Sequence, residues 1–190
     1  MKNFRRIIKE SAPILVLCIL GELIAGVIML TGLDDTREVL PGLVILIPAV
    51  LALRGNISSA MGSRLGSAIH MGLVESKLSF GMFRNTVVKE NLYATTVLNF
   101  VMAVILGAFA YLVANATGVN ASFAELMLIC LLASLLSGFF LMFLTISLAV
   151  YVSSKGLDPD NVLIPSVATI GDIVTIIFLF VSAQLVLSIL

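Results

Sequence analysis

Apolar positions in this chain gather into five long stretches separated by short polar connections. A hydrocarbon core about 30 Å thick needs ~20 helical residues to cross it. The stretches 12–33, 39–72, 92–114, 123–152 and 162–190 all reach that length. The first is broken only by Glu22, and the second opens with fifteen uncharged residues before changing character at Arg54. The last two exceed the minimum, which predicts tilt, a kink or an overhang. The longest polar connection, 73–90, suits a short interfacial helix. The pattern predicts an all-α integral membrane protein, one transmembrane domain over 1–190 with five transmembrane helices and no soluble domain.

Composition agrees. The chain is 60% hydrophobic and 12% charged, against about 45–50% and about 25% in soluble domains. Its formal net charge of zero argues against a nucleic-acid partner, leaving membrane lipid as its surroundings. Lys2, Arg5, Arg6 and Lys9 precede the first stretch, Lys77, Arg84 and Lys89 lie between the second and third, and Lys155 lies between the fourth and fifth. The alternate connections hold Arg37 alone, so eight cations stand against one. The positive-inside rule then predicts a multi-pass plasma-membrane protein with a cytoplasmic N-terminus and an outside C-terminus. The first stretch is too long for a signal peptide, carries Glu22 and ends in Thr31-Gly32-Leu33 without an A-x-A site, so it reads as a retained helix. Cys18 and Cys130 lie in separate apolar runs and read as packing residues rather than redox or metal ligands.

Ionisable side chains inside the membrane are the candidates for chemistry, because one at the centre of a helix costs roughly 2.5–3.5 kcal/mol on insertion scales. Asp172 is the sharpest. Ten residues beyond Val162 at 1.5 Å each put it about 15 Å deep, near the midplane. Asn161, Pro165, Ala168, Asp172 and Thr175 recur in steps of four and three, so they share one polar or small face. Pro165 has no N–H, which frees the carbonyl of Asn161 for a ligand. The face reads as an ion or proton site; the structural alternative is Asp172 paired with a cation such as Arg54.

The second stretch offers a complementary face of Ala52, Asn56, Ser59, Ser63, Gly66 and His70, with Pro48 freeing the carbonyl of Val44. Two proline-interrupted helices with small polar stripes suit an ion pathway. Gly62 and Gly66 form a GxxxG pattern, which close helix packing also explains. Glu22 either pairs with Arg54 or Arg64 or holds a coupling ion. His70 reads as interfacial. Asp158 and Asp160 attract cations to an inner mouth or serve as loop and capping residues.

These ligands are all oxygen, which suits Mg²⁺, Ca²⁺, Mn²⁺ or Na⁺. Mg²⁺ keeps its waters and binds through one or two carboxylates. One Asp per chain is thin for a divalent ion, so a homodimer facing two Asp172 carboxylates across a two-fold axis is the economical arrangement. Inward movement is favoured by about 2.3 kcal/mol per charge per 100 mV and needs no energy-coupling domain. Enzyme sites fit poorly. HExxH is impossible with one histidine, Leu135-Leu136-Ser137-Gly138 fails the rhomboid pattern, and Thr169-Ile170-Gly171-Asp172 lacks the first glycine of an aspartyl intramembrane protease. No organic cofactor is called for. A non-transporting assembly subunit remains as a further class.

Pro48, Arg54-Gly55-Asn56 and Ser63-Arg64-Leu65, followed in order by Asp158-Pro159-Asp160-Asn161, Pro165 and Gly171-Asp172, resemble the signature of solute carrier family 41 and the related bacterial MgtE channels. The resemblance covers most of the chain from about Pro41. It implies a single five-helix repeat of the MgtE-like transmembrane domain, hence a homodimer, that moves Mg²⁺. It also implies Asp172 as the central ion-binding acid, with the Ala168 carbonyl and Asn56 close to the ion. The cytoplasmic sensor domains of MgtE have no counterpart here. Ile57-Ser58-Ser59 stand where MgtE continues toward a glutamine, and Glu22 lies outside the family pattern, leaving sodium or proton coupling open.

Overall fold

The computed structural model describes residues 2–36, 42–79 and 81–189; Val39, the predicted start of the second stretch, and Arg37 with Glu38 lie outside them. The order is α1 (Lys2–Thr36), α2 (Leu43–His70), a short 3₁₀ turn (Met82–Arg84), α3 (Thr86–Ala116), α4 (Phe123–Ser154) and α5 (Pro159–Ile189). All five long helices are apolar enough to span a membrane, and no strand occurs among the described residues.

Local chemistry sets the ends. Asn85 Oδ1 accepts from the Val87 N–H at 2.8 Å, starting α3 six residues before the predicted 92. The interfacial helix predicted for 73–90 shrinks accordingly to the single 3₁₀ turn. Ser122 Oγ accepts from the Glu125 N–H and caps α4. Pro159, whose missing N–H costs nothing in a first turn, opens α5, and Asp158 Oδ1 accepts from the Asp160 N–H at 3.0 Å. Gly72 and Gly156 take positive φ just past α2 and α4, where the following N–H groups of Leu73 and Leu157 reach back to Ala68 and Val152. α1 begins ten residues before the predicted 12, because its basic turns continue the helix beyond the apolar run.

α5 is the central element and packs on α4, α2 and α1; α4 also meets α2 and α3, whereas α1 joins the bundle chiefly through α5. Gly62 and Gly66 let α2 approach α5, since a Cβ on Gly66 would stand 3.0 Å from Pro159 Cβ. The GxxxG pattern is thus helix packing on one face of α2. Two apolar clusters fill the bundle, one around Leu46, Val50, Ile129 and Leu179, the other around Met61, Leu65, Ile146 and Leu163. Between them lies a buried polar layer comprising Arg54, Thr95, Asn99, Ser134, Ser137 and Thr175. α1 leaves Leu17, Leu20, Ile24 and Val27 exposed on its outer side.

Candidate functional site: an acid at mid-depth on α5

Asp172 is half-buried at the level of the polar layer and makes no hydrogen bond or ion pair among the described residues. The pairing with Arg54 does not form. Arg54 is only 1% exposed and turns toward α3 and α4, where Nη1 donates to Asn99 Oδ1 at 2.6 Å and Nη2 to the Ser134 carbonyl at 2.9 Å. Its Nε has no partner, and the guanidinium rests against Gly138, where any Cβ would collide with it.

Glu22 pairs with neither predicted arginine. Arg64 is exposed and its Nε donates to Asn91 Oδ1 at 2.6 Å. Glu22 lies instead exposed on α1, next to Gly21, which packs on α5. The two helices meet at Gly21, which lies directly over Thr169, and at Cys18, whose Sγ donates to the Pro165 carbonyl at 3.5 Å. α1 and α5 thus each carry a carboxylate, and among the described residues no lysine or arginine is bonded to either.

The rest of the α5 stripe divides. Ala168 is partly exposed beside Asp172, but Thr175 is fully buried with its hydroxyl unpartnered inside the bundle. Asn161 is engaged: its Nδ2 donates to Glu10 Oε2 at 3.2 Å, and the Asp158 N–H reaches the same oxygen at 3.3 Å. On α2, Ala52, Asn56, Ser63, Ser67 and His70 are exposed, Ser59 is partly so, Pro48 is exposed, and Gly55 has open space around it. A polar stripe at membrane depth is a poor surface for lipid, because hydroxyls and amides need partners there. Where this stripe meets the start of α5, Ser63, Ser67, His70, Asp158 and Asp160 line a cavity of about 380 Å³.

No group of three or more His, Cys, Asp or Glu side chains forms a closed metal cage among the described residues. An open face with one or two carboxylates and several neutral oxygens suits an ion that keeps its water. The sequence reading missed Glu10, Asn99 and Gly138. Asn99 was the detectable one: a lone amide within the apolar run of α3 needs a buried partner.

Residues 47–182 match the MgtE family, described as divalent cation transporters. Solute carrier family 41 member 2 of Gallus gallus is 31% identical over 200 residues, covering 94% of this chain and 33% of the relative. The Mus musculus protein of the same name is 31% identical over 199 residues with the same coverage. Solute carrier family 41 member 3 of Rattus norvegicus is 24% identical over 165 residues, 83% of this chain and 34% of the relative. The chain therefore spans about a third of the length of these relatives. The family match over residues 47–182 and relatives 31% identical over 94% of its length show that the chain belongs to the MgtE family, described as divalent cation transporters.

Proposed function

We propose that this chain carries Mg²⁺ across the membrane along the polar faces of α2 and α5, with Asp172 as the central ion-binding carboxylate. The observation that carries the reading is Asp172 itself: an acid midway along α5 with no bonded cation among the described residues, and a second acid, Glu22, on the adjacent α1. Two carboxylates so placed repel each other and favour a divalent cation between or near them. Asn56, Ser59 and the Ala168 carbonyl supply neutral oxygens for the ion's water shell.

The exposed stripe of Ala52, Asn56 and Ser63 supports a homodimer in which two α2 helices face a shared path. In that arrangement small polar side chains meet water and ion instead of lipid. A membrane potential favours entry of a divalent ion by about 4.6 kcal/mol per 100 mV, twice the single-charge value. Asp158 and Asp160 at the polar cavity raise the local cation concentration at one end of the path.

The test is Mg²⁺ flux into liposomes containing the purified full chain. Asp172→Ala is expected to abolish flux while leaving the protein folded; unchanged flux would sink the proposal. A second reading, exchange of Mg²⁺ for Na⁺ or H⁺, is favoured by Glu22 on the adjacent α1. Imposing a sodium or proton gradient separates the two: a channel's flux follows only the Mg²⁺ gradient and the potential.

A further inference from the structure

A cavity of about 550 Å³ opens between the first turns of α1 and the junction of α4 with α5. Its rim carries Arg5, Arg6 and Lys9, and its wall is apolar, formed by Ile14, Leu157 and Val162. The single acid in it, Glu10, is already engaged. It accepts from Arg6 Nε at 2.7 Å, from the Asp158 N–H at 3.3 Å and from Asn161 Nδ2 at 3.2 Å. Arg6 Nη2 also donates to the Gly156 carbonyl at 3.3 Å, which fixes the guanidinium at the rim. Arg5 and Lys9 are exposed and bonded to no carboxylate among the described residues. Three cations against one engaged acid leave two positive charges above an oily wall.

Depth identifies what reaches this rim. The apolar run 12–33 is about 33 Å long as a helix and fills the hydrocarbon core. Arg5 and Lys9 therefore lie about 5–10 Å beyond its edge, in the layer of lipid headgroups. We propose that this cavity binds an anionic phospholipid, its phosphate on Arg5, Arg6 and Lys9 and its acyl chain along Ile14, Leu157 and Val162. The site has a mechanical consequence. Arg6 bridges Glu10 and the α4–α5 junction, so a phosphate drawing on Arg6 competes with Glu10. Lipid occupancy then loosens the clamp of α1 on Asp158 and Asn161, at the head of α5.

Native mass spectrometry of the full chain in detergent tests this, with phosphatidylglycerol, phosphatidylcholine or inorganic phosphate added. The wild-type chain should retain phosphatidylglycerol over phosphatidylcholine, and the Arg5→Gln/Lys9→Gln double variant should hold it about thirtyfold less tightly, about fivefold for each juxtamembrane cation. Both side chains are exposed, and an unchanged unfolding midpoint in detergent verifies the fold. Lys77→Gln/Lys89→Gln should leave retention unchanged. Equal loss in that control would reduce the effect to diffuse charge and overturn the site. Displacement of the lipid by inorganic phosphate would overturn the lipid as occupant.

Discussion

Gly138 on α4 has no room for a side chain because the Arg54 guanidinium occupies the space. A Cβ there would overlap Nη2 and would stand 2.5 Å from Asn99 Nδ2. Both groups are ends of side chains and could move in principle, but they are held by the bonds of Arg54 to Asn99 and to the Ser134 carbonyl. Gly138→Ala therefore displaces a buried charge from its acceptors. A hydrogen bond to a charged group is worth about 1.5–3 kcal/mol, and Ala is a better helix former than Gly by about 1 kcal/mol. Loss of one bond thus gives a net destabilisation of about 0.5–2 kcal/mol. In an Arg54→Ala background no bond remains to break, and the same substitution should stabilise by about 1 kcal/mol. The two effects of Gly138→Ala should differ by about 1.5–3 kcal/mol, as a double-mutant cycle measures. Denaturant unfolding of the four proteins in one detergent supplies the numbers. Additivity within about 0.5 kcal/mol would refute Gly138 as the seat of the guanidinium.

A Cβ on Gly32 would enter the ring of Phe180, whereas one on Gly26 meets nothing within 4 Å. Gly32→Ala should therefore cost about 1–3 kcal/mol by overpacking and Gly26→Ala should stabilise by about 1 kcal/mol, both read from unfolding midpoints. Equal effects at the two sites would contradict the α1–α5 contact. Glu22→Gln should preserve Mg²⁺ flux but weaken its apparent affinity at least about fivefold, since a unit charge at 4 Å contributes roughly 1–4 kcal/mol between water and a partly buried site; unchanged affinity would remove Glu22 from the pathway. Ser63→Cys should form an intermolecular disulfide in oxidised membranes if two α2 stripes face one another, while Val97→Cys on the exposed side of α3 should not. Cross-linking at Val97 alone would place the dimer contact elsewhere.

The helices were legible because membrane burial imposes a length and a composition that single residues cannot hide. Their ends were less so. The polar residues before Ala12 read as a tail, yet Arg6 and Glu10 stand four apart and form an ion pair at 2.7 Å that extends the helix into the interface. Asp172 was legible from the cost of its charge, and Asp158 from its place before Pro159. What could not be read locally was adjacency. Glu22 had two arginines as plausible partners, and only the packing of α1 on α5 sets it next to the helix of Asp172 instead. The stripe from Asn161 to Thr175 covers an arc of about 80°. That arc is wide enough for Asp172 to face outward while Thr175, at its edge, enters the bundle.

The attachment of α1 chiefly to α5 has a consequence for biogenesis. α1 is synthesised well before α5, on which it docks, and the contacts joining them, such as Glu10 to Asn161, bridge 151 positions of chain. Until α5 is inserted, Gly21 and Gly32 of α1 lack the Thr169 and Phe180 on which they pack. Docking of α5 therefore covers these glycines, while Glu22 stays exposed on the finished chain. Closure of the α1–α5 seam is therefore a late step of assembly.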